Sequence, residues 1–203
     1  NGFINFWLTA EILQQELGEI LKKKLAVKTK AGKKKIQVEF ISANPTGPLT
    51  LANGRGGFLG DVLANILEFS GYKVEREYYV NDTGKQIITF GKSLLATAGI
   101  ISAEETFYKG AYVKAWATKH KTLVKKYKSN PLKLGQLAAA DFLKIIKKTV
   151  KDAGIAFDRW TSEEKNIHKK SFVEKVLKIF KSQKTDLQKR RGVMASNFKV
   201  RRR

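Results

Sequence analysis

Residues 36–80 read IQVEFISANPTGPLTLANGRGGFLGDVLANILEFSGYKVEREYYV, and the order of their patterns decides the fold. Ile36–Ile41 predicts a strand, with Val38 and Phe40 alternating against Gln37 and Glu39. A turn-rich segment follows, Asn44-Pro-Thr-Gly-Pro48. From about Asn53 to Ser70 the spacing of Phe58, Val62, Leu63, Ile66 and Leu67 is helical, and Gly71 suits the left-handed position just past a helix end. Lys73–Val80, rich in valine and tyrosine, predicts a second strand that Asn81-Asp-Thr-Gly84 punctuates. Strand, loop, helix and strand in this order make a βαβ unit, which requires a parallel sheet and a right-handed crossover.

Upstream, Thr9 can cap a helix that runs through about Lys24, with Glu11 in its first turn and Lys22, Lys23 and Lys24 at its end, as the helix dipole favours. Ile12, Leu13, Leu17, Ile20 and Leu21 form its apolar stripe. Ala26–Lys35 reads as a loop. Downstream the pattern is mostly helical. Asn130-Pro131 starts a long helix whose stripe runs Leu137, Ala138, Phe142, Ile145, Ile146 and Val150 and ends near Gly154. A short strand, Ile155–Trp160, and a helix carrying Phe172, Val173, Val176, Leu177 and Phe180 follow. From about Lys189 the chain is a basic tail with little periodicity, holding Arg190, Arg191 and Arg201–Arg203.

The chain has 203 residues, enough for one domain of ordinary size, and its 42% hydrophobic content supports a packed core. It has no cysteine, which excludes disulfides and cysteine-based zinc or redox sites. No apolar run approaches the roughly 20 residues that span a bilayer, and no signal-peptide pattern opens the chain. A soluble, cytoplasmic protein is expected; its start at Asn1 fits a processed chain or a piece of a longer one. Lys plus Arg is 40 against 18 Asp plus Glu, a net charge of +22. The excess is uneven: residues 36–92 sum to −1, whereas residues 93–203 sum to +18. Such a field attracts a polyanion in a salt-dependent way, although a lysine-biased solvated surface accounts for any one lysine.

In an open parallel sheet, ligands bind beyond the carboxyl ends of the strands, where loops feed helix N-termini. Ser42–Gly60 is such a place: two prolines stiffen it, its glycines admit a ligand close to the backbone, and free N–H groups open the next helix toward phosphate. A nucleotide site is one reading; a Gly-rich turn packing helix against sheet is the other. His120 and His168 lack partners at ligand spacing, so no metal site is expected. Trp7, Trp116 and Trp160 read as core or interface residues.

Val38-Glu-Phe-Ile-Ser-Ala-Asn-Pro-Thr-Gly-Pro-Leu49, Thr50-Leu-Ala-Asn53, Gly54-Arg-Gly-Gly, Gly60-Asp-Val-Leu and Arg76-Glu-Tyr-Tyr-Val-Asn-Asp82, with Gly84 and Gln86, closely resemble the catalytic core of arginyl-tRNA synthetases of class I. Gly2-Phe-Ile-Asn-Phe6, Tyr108-Lys-Gly110 and Phe157-Asp-Arg-Trp160 extend the resemblance over residues 1 to about 190. It implies a Rossmann-like nucleotide-binding fold, first half only, with a helical insertion. Residues 1–35 would end an N-terminal domain, 36–188 would form a partial catalytic domain and 189–203 the tail. It also implies a two-step reaction, in which arginine and ATP, accompanied by Mg2+, give arginyl-adenylate, and the arginyl group passes to tRNA(Arg).

Carried over by position, Glu39 would read the arginine side chain, and Ser42 and Asn44 would hold its α-amino end. Asn81 and Asp82 would line the same cleft. Ala43, Pro45, Thr46, Gly47, Pro48, Leu49, Thr50, Leu51, Ala52, Asn53 and Gly54 would bind ATP, with Thr50 and Asn53 in the catalytic positions. There the class carries His-x-Gly-His. Thr50 and Asn53 can donate hydrogen bonds, but neither carries a charge, and charge-assisted bonds are roughly twice as strong. The second class signature, a Lys-Met-Ser-Lys-Ser-like loop, has no counterpart, and the second half of the nucleotide fold is missing. A chain of this extent is expected to form little adenylate on its own. Two other functions compete. One is a basic RNA-binding module without catalysis. The other is a dinucleotide-dependent oxidoreductase using Gly54, Gly56 and Gly60, which lie too far beyond the first strand for that motif.

Overall fold

The computed structural model describes residues 2–23, 34–168, 170–182, 187–190 and 193–196. Three parallel strands form its main sheet in the order β1 (Lys35–Glu39), β2 (Lys73–Val80) and β3 (Arg159–Ser162). Val38 stands opposite Arg76 in the first pairing, and Val80 opposite Ser162 in the second. Helix α2 (Leu51–Phe69) is the crossover from β1 to β2, so the expected βαβ unit and parallel α/β fold are present. Gly71 ends α2 as the sequence indicated: φ is 85°, and the N–H groups of Gly71 and Tyr72 reach back to the carbonyls of Glu68 and Leu67. A guanidinium then clasps helix to strand. Arg76 on β2 donates to Glu68 at 2.8 and 2.9 Å and to Asn65 at 2.7 Å, with Asp61 at 3.7 Å. The amide of Arg76 donates to Asp158 ahead of β3.

Between β2 and β3 stands a helical unit: α3 (Gly84–Thr97), α4 (Ala111–Lys119), α5 (Lys121–Lys126) and α6 (Pro131–Asp152). Asn130 caps α6 by accepting from the Lys133 amide, and Pro131 opens it, as expected. Phe90, Leu94, Leu95, Val113, Trp116, Val124, Leu134 and Phe142 make a continuous buried core there. A smaller core lies on the sheet, where Tyr78 stacks on Trp160 at 4.4 Å and Phe157 meets both rings edge-on. Trp116 is therefore buried and Trp160 packs half-buried against the core, whereas Trp7 is exposed ahead of α1 (Ala10–Lys23). Among the described residues, no helix is long and apolar enough to cross a membrane.

Several expected boundaries move. Strand β1 stops at Glu39 instead of Ile41, because Ile41 and Ser42 take φ of 63° and 37°, outside any strand. Helix α2 starts at Leu51, two residues before the expected Asn53, because Thr50 and Asn53 cap each other reciprocally. The third strand is Arg159–Ser162 and not Ile155–Trp160; the Ile155 amide instead closes the end of α6 on Val150. A π-helix (Glu163–Ile167) and then α7 (Lys170–Ser182) follow. The expected irregular tail begins inside an antiparallel hairpin, β4 (Leu187–Arg190) with β5 (Val193–Ser196). Lys35, expected in a loop, opens β1; residues 26–33 of that loop, Lys24, Arg191 and Arg201–Arg203 lie outside the described residues.

Candidate active site

The carboxyl ends of the three strands share one edge of the sheet, and the loop leaving β1 makes the most elaborate structure on it. The left-handed turn at Ile41 and Ser42 swings the chain across the sheet, so that the Ser42 hydroxyl accepts from the Tyr79 amide at 3.0 Å. Tyr78, fully buried in β2, donates its hydroxyl to the Ala43 carbonyl at 2.9 Å. Burial pushes that phenol up to about 12, so it remains a donor. Pro45 and Thr46 are buried, and Asn44 donates to the side chain of Gln86 on α3. The loop is thereby pinned to β2 at one end and to α3 at the other.

A hollow of about 640 Å³ opens against this loop. Ser42, Ala43, Asn44, Thr46, Gly47, Pro48 and Leu49 line it from the loop, and Thr50 and Asn53 line it from the start of α2. Gln86, Tyr108 and Tyr112 complete it from the helical unit. No charged side chain is among the residues that line it. Of the other positions expected to bind ATP, Leu51 is 89% exposed and turns away, while Ala52 and Gly54 lie on α2 outside the lining. Pro45 lines a separate hollow of about 380 Å³, shared with Asp82, Lys133 and Glu164.

The two residues standing at the histidine positions are engaged with each other. The Thr50 hydroxyl donates to Asn53 Oδ1 at 2.7 Å, that oxygen also accepts from the Thr50 amide at 2.9 Å, and the Asn53 amide returns to the Thr50 hydroxyl. The hydroxyl proton is thus committed inside the cap. The donors that remain for a ligand are Asn53 Nδ2 and the first backbone N–H groups of α2, at its positive dipole end.

Beside the hollow runs an acidic edge centred on Tyr79. Its phenol is pushed up first by burial, then by the carboxylates of Glu163, which also hydrogen-bonds it, Asp82 and Glu39. The Asn81 amide, oriented with its nitrogen toward these acceptors, donates to Thr83 O at 3.2 Å and to Glu163 at 2.9 Å. Asp82 is fixed in orientation, accepting from the Ser162 hydroxyl at 2.6 Å and from the Glu164 amide at 3.0 Å. Glu39, Asn81 and Asp82 therefore sit at this edge and do not line the larger hollow; Ser42, bonded to Tyr79 and open to the hollow, joins the two. Sequence reading missed Glu163 and Tyr79 here, and Gln86, Tyr108 and Tyr112 as lining. Glu163 was findable in principle, because the residue that follows a parallel strand lies at its ligand end. Among the described residues, no three metal-ligating side chains cluster closely enough to hold an ion.

Known proteins of similar sequence and fold place the chain in one family. The family model described as tRNA synthetases class I (R), catalytic domain, matches residues 16–183. The chain is 38% identical over 176 residues to the arginine–tRNA ligase of Desulfosudis oleivorans, an alignment covering 80% of this chain and 32% of that one. It is 38% identical over 194 residues to that of Carboxydothermus hydrogenoformans, covering 88% and 34%. The solved structure of an arginyl-tRNA synthetase from Campylobacter jejuni superposes with a TM-score of 0.73 at 29% identity, over 91% of this chain and 42% of that one. The chain spans about a third of the length of the curated relatives it matches.

Proposed function

The chain belongs to the class I arginyl-tRNA synthetase family, and from that premise we propose that it forms the first half of an arginine-activating core. In this reading residues 1–35 end an N-terminal domain, 36–188 make a partial catalytic domain, and 189–203 are a basic tail. ATP lies in the neutral hollow and arginine at the acidic edge. The carboxylate of arginine attacks the α-phosphorus of ATP, expelling pyrophosphate and leaving arginyl-adenylate; the 3′ end of tRNA(Arg) then takes the arginyl group. A cytoplasmic location belongs to the same reading.

The observation that carries it is the sorting of charge across Ser42. On one side the lining is free of carboxylates and a helix N-terminus faces in, which suits a triphosphate. On the other, Glu39, Asp82 and Glu163 gather round Tyr79, which suits a guanidinium. Ser42, bonded to the Tyr79 amide, and Asn44, in the wall of the hollow, would hold the α-amino end of arginine. Asn53 Nδ2 and the α2 amides stabilise phosphate oxygens without a positive side chain, so this helix start does less for the developing charge than a histidine pair would. A magnesium ion accompanying ATP would find no carboxylate in the hollow.

Calorimetric titration of the 203-residue chain with ATP tests this. Asn53→Asp keeps the capping oxygen and sets a negative charge at the phosphate end. ATP affinity should fall about tenfold, equivalent to about 1.4 kcal/mol. Equal affinity, or no ATP binding by the parent chain, would overturn the reading. Arginine-dependent pyrophosphate exchange should be near background; a robust signal would show that half a core suffices. RNA holding without catalysis is a second reading, favoured by eleven exposed lysines between residues 111 and 152 against Asp141 and Asp152. Steeply salt-dependent tRNA binding with no ATP protection would select it.

A further inference from the structure

The helical unit contributes one wall of the hollow, and a single ring in that wall bears on the loop. Tyr112, in the first turn of α4, lies between two stretches of backbone. A Cβ built at Gly110 would meet its ring at 2.3 Å and would force the ring to shift, and one built at Gly47 would press on it at 3.0 Å. Phe142 of α6 meets the ring edge-on with centroids 5.5 Å apart, fixing it from the core side. Burial, and then neighbouring Tyr108, push its phenol up, so it stays neutral. Among the described residues no backbone hydrogen bond closes the Pro45–Pro48 bend, and its two prolines bring no N–H. The bend is pinned at Ala43 and Asn44, upstream of Gly47.

We infer that Tyr112 is a positioning residue: its ring is the strut that sets the course of the Pro45–Pro48 bend, and so the width of the hollow between Asn44 and Asn53. The nucleotide part of this inference rests on the proposed function; the strut itself does not. The ring carries the effect by contact, so the hydroxyl is dispensable for it.

Hydrogen exchange and ATP calorimetry on the full chain test it together. Tyr112→Ala should speed exchange at the amides of Thr46, Gly47, Leu49 and Thr50 about tenfold and weaken ATP binding by a similar factor. Leu94 and other core amides of α3 should keep their protection. Tyr112→Phe should restore both readings to within about twofold of the parent. Gly47→Ala, which presses on the ring from the other side and keeps α4 intact, should weaken ATP binding alone but have little further effect on Tyr112→Ala. Unchanged exchange at residues 46–50 in Tyr112→Ala would overturn the inference, as would loosening of the whole α3–α6 core. Should Tyr112→Ala fail to fold, Gly47→Ala decides: unaltered ATP affinity overturns the inference. A parent chain that binds no ATP would overturn the proposed function, while the exchange arm would still support or overturn the strut.

Discussion

Helices α3 and α2 are both rich in apolar side chains, yet they end in opposite conditions. In α3 four of the five large apolar residues, Ile87, Phe90, Leu94 and Leu95, are buried, chiefly against α6, and Ile88 is half-buried. The two helices approach until backbone meets backbone: a Cβ at Gly91 would lie 1.8 Å from the Pro131 carbonyl oxygen, and one at Gly135 would lie 2.1 Å from that of Ile87. In α2 only Gly57, Gly60 and Ala64 are buried, on the side facing the sheet. Phe58, Leu59, Val62, Leu63, Ile66 and Phe69 point outward and are each about half exposed or more. Outside the polar strip that Asp61, Asn65 and Glu68 present to Arg76, α2 thus turns a broad apolar surface to solvent. The helical unit therefore closes its own core within this chain, whereas the sheet half closes only one face of its crossover helix.

The largest test of that contrast is Gly91→Val. Forcing a branched side chain into the backbone seam should separate α3 from α6 and cost about 3 kcal/mol or more, read by urea denaturation. A loss under about 1 kcal/mol would mean the seam is looser than its spacing indicates. A smaller effect concerns the rim of the same unit. Asp141 accepts from Lys144 at 2.9 Å and from the Trp116 indole at 3.2 Å, and the first of these chiefly holds its carboxyl below the usual value. Because the folded value is depressed, this contribution is present above the unfolded carboxyl pKa, near 3.8, and is lost as pH falls through the folded one. Asp141→Asn should flatten the acid limb of the stability curve there; an unchanged limb would discount the pair. The smallest effect is expected on α2. Leu59→Lys, at a side chain 71% exposed, should alter stability by no more than about 0.5 kcal/mol and reduce self-association in sedimentation. A loss of 2 kcal/mol would show that this face is covered and would break the comparison.

The contrast also explains what could be read beforehand. Residues 36–80 announced strand, helix and strand because hydrophobic period and turn chemistry agree there, and the caps at Gly71 and Asn130 follow local rules. The end of β1 was not legible: Phe40-Ile41 continues an apolar strand pattern, and nothing local signals a β-branched residue at positive φ. Ile155 and Phe157 look like a strand by composition, but they pack beneath the sheet and leave pairing to Arg159–Ser162. At the site, the residues from Ser42 to Asn53 were accessible because they are contiguous. Their neighbours Tyr112 and Glu163 arrive through tertiary packing from more than 50 residues away, and the separation of Glu39 from the hollow depends on which way one turn swings.

The Arg76 clasp has a mechanical consequence. It grips α2 between Asp61 and Glu68, near the end remote from Thr50, and so acts on a lever. At 1.5 Å per residue the arm from Asn65 to Leu51 is about 21 Å, and a pivot of about 3° would carry the capped tip some 1 Å. Three acceptors on one planar, rigid cation leave little play at the fulcrum. The tip is thereby aimed in advance of any ligand, and whatever docks on it meets a bearing already set.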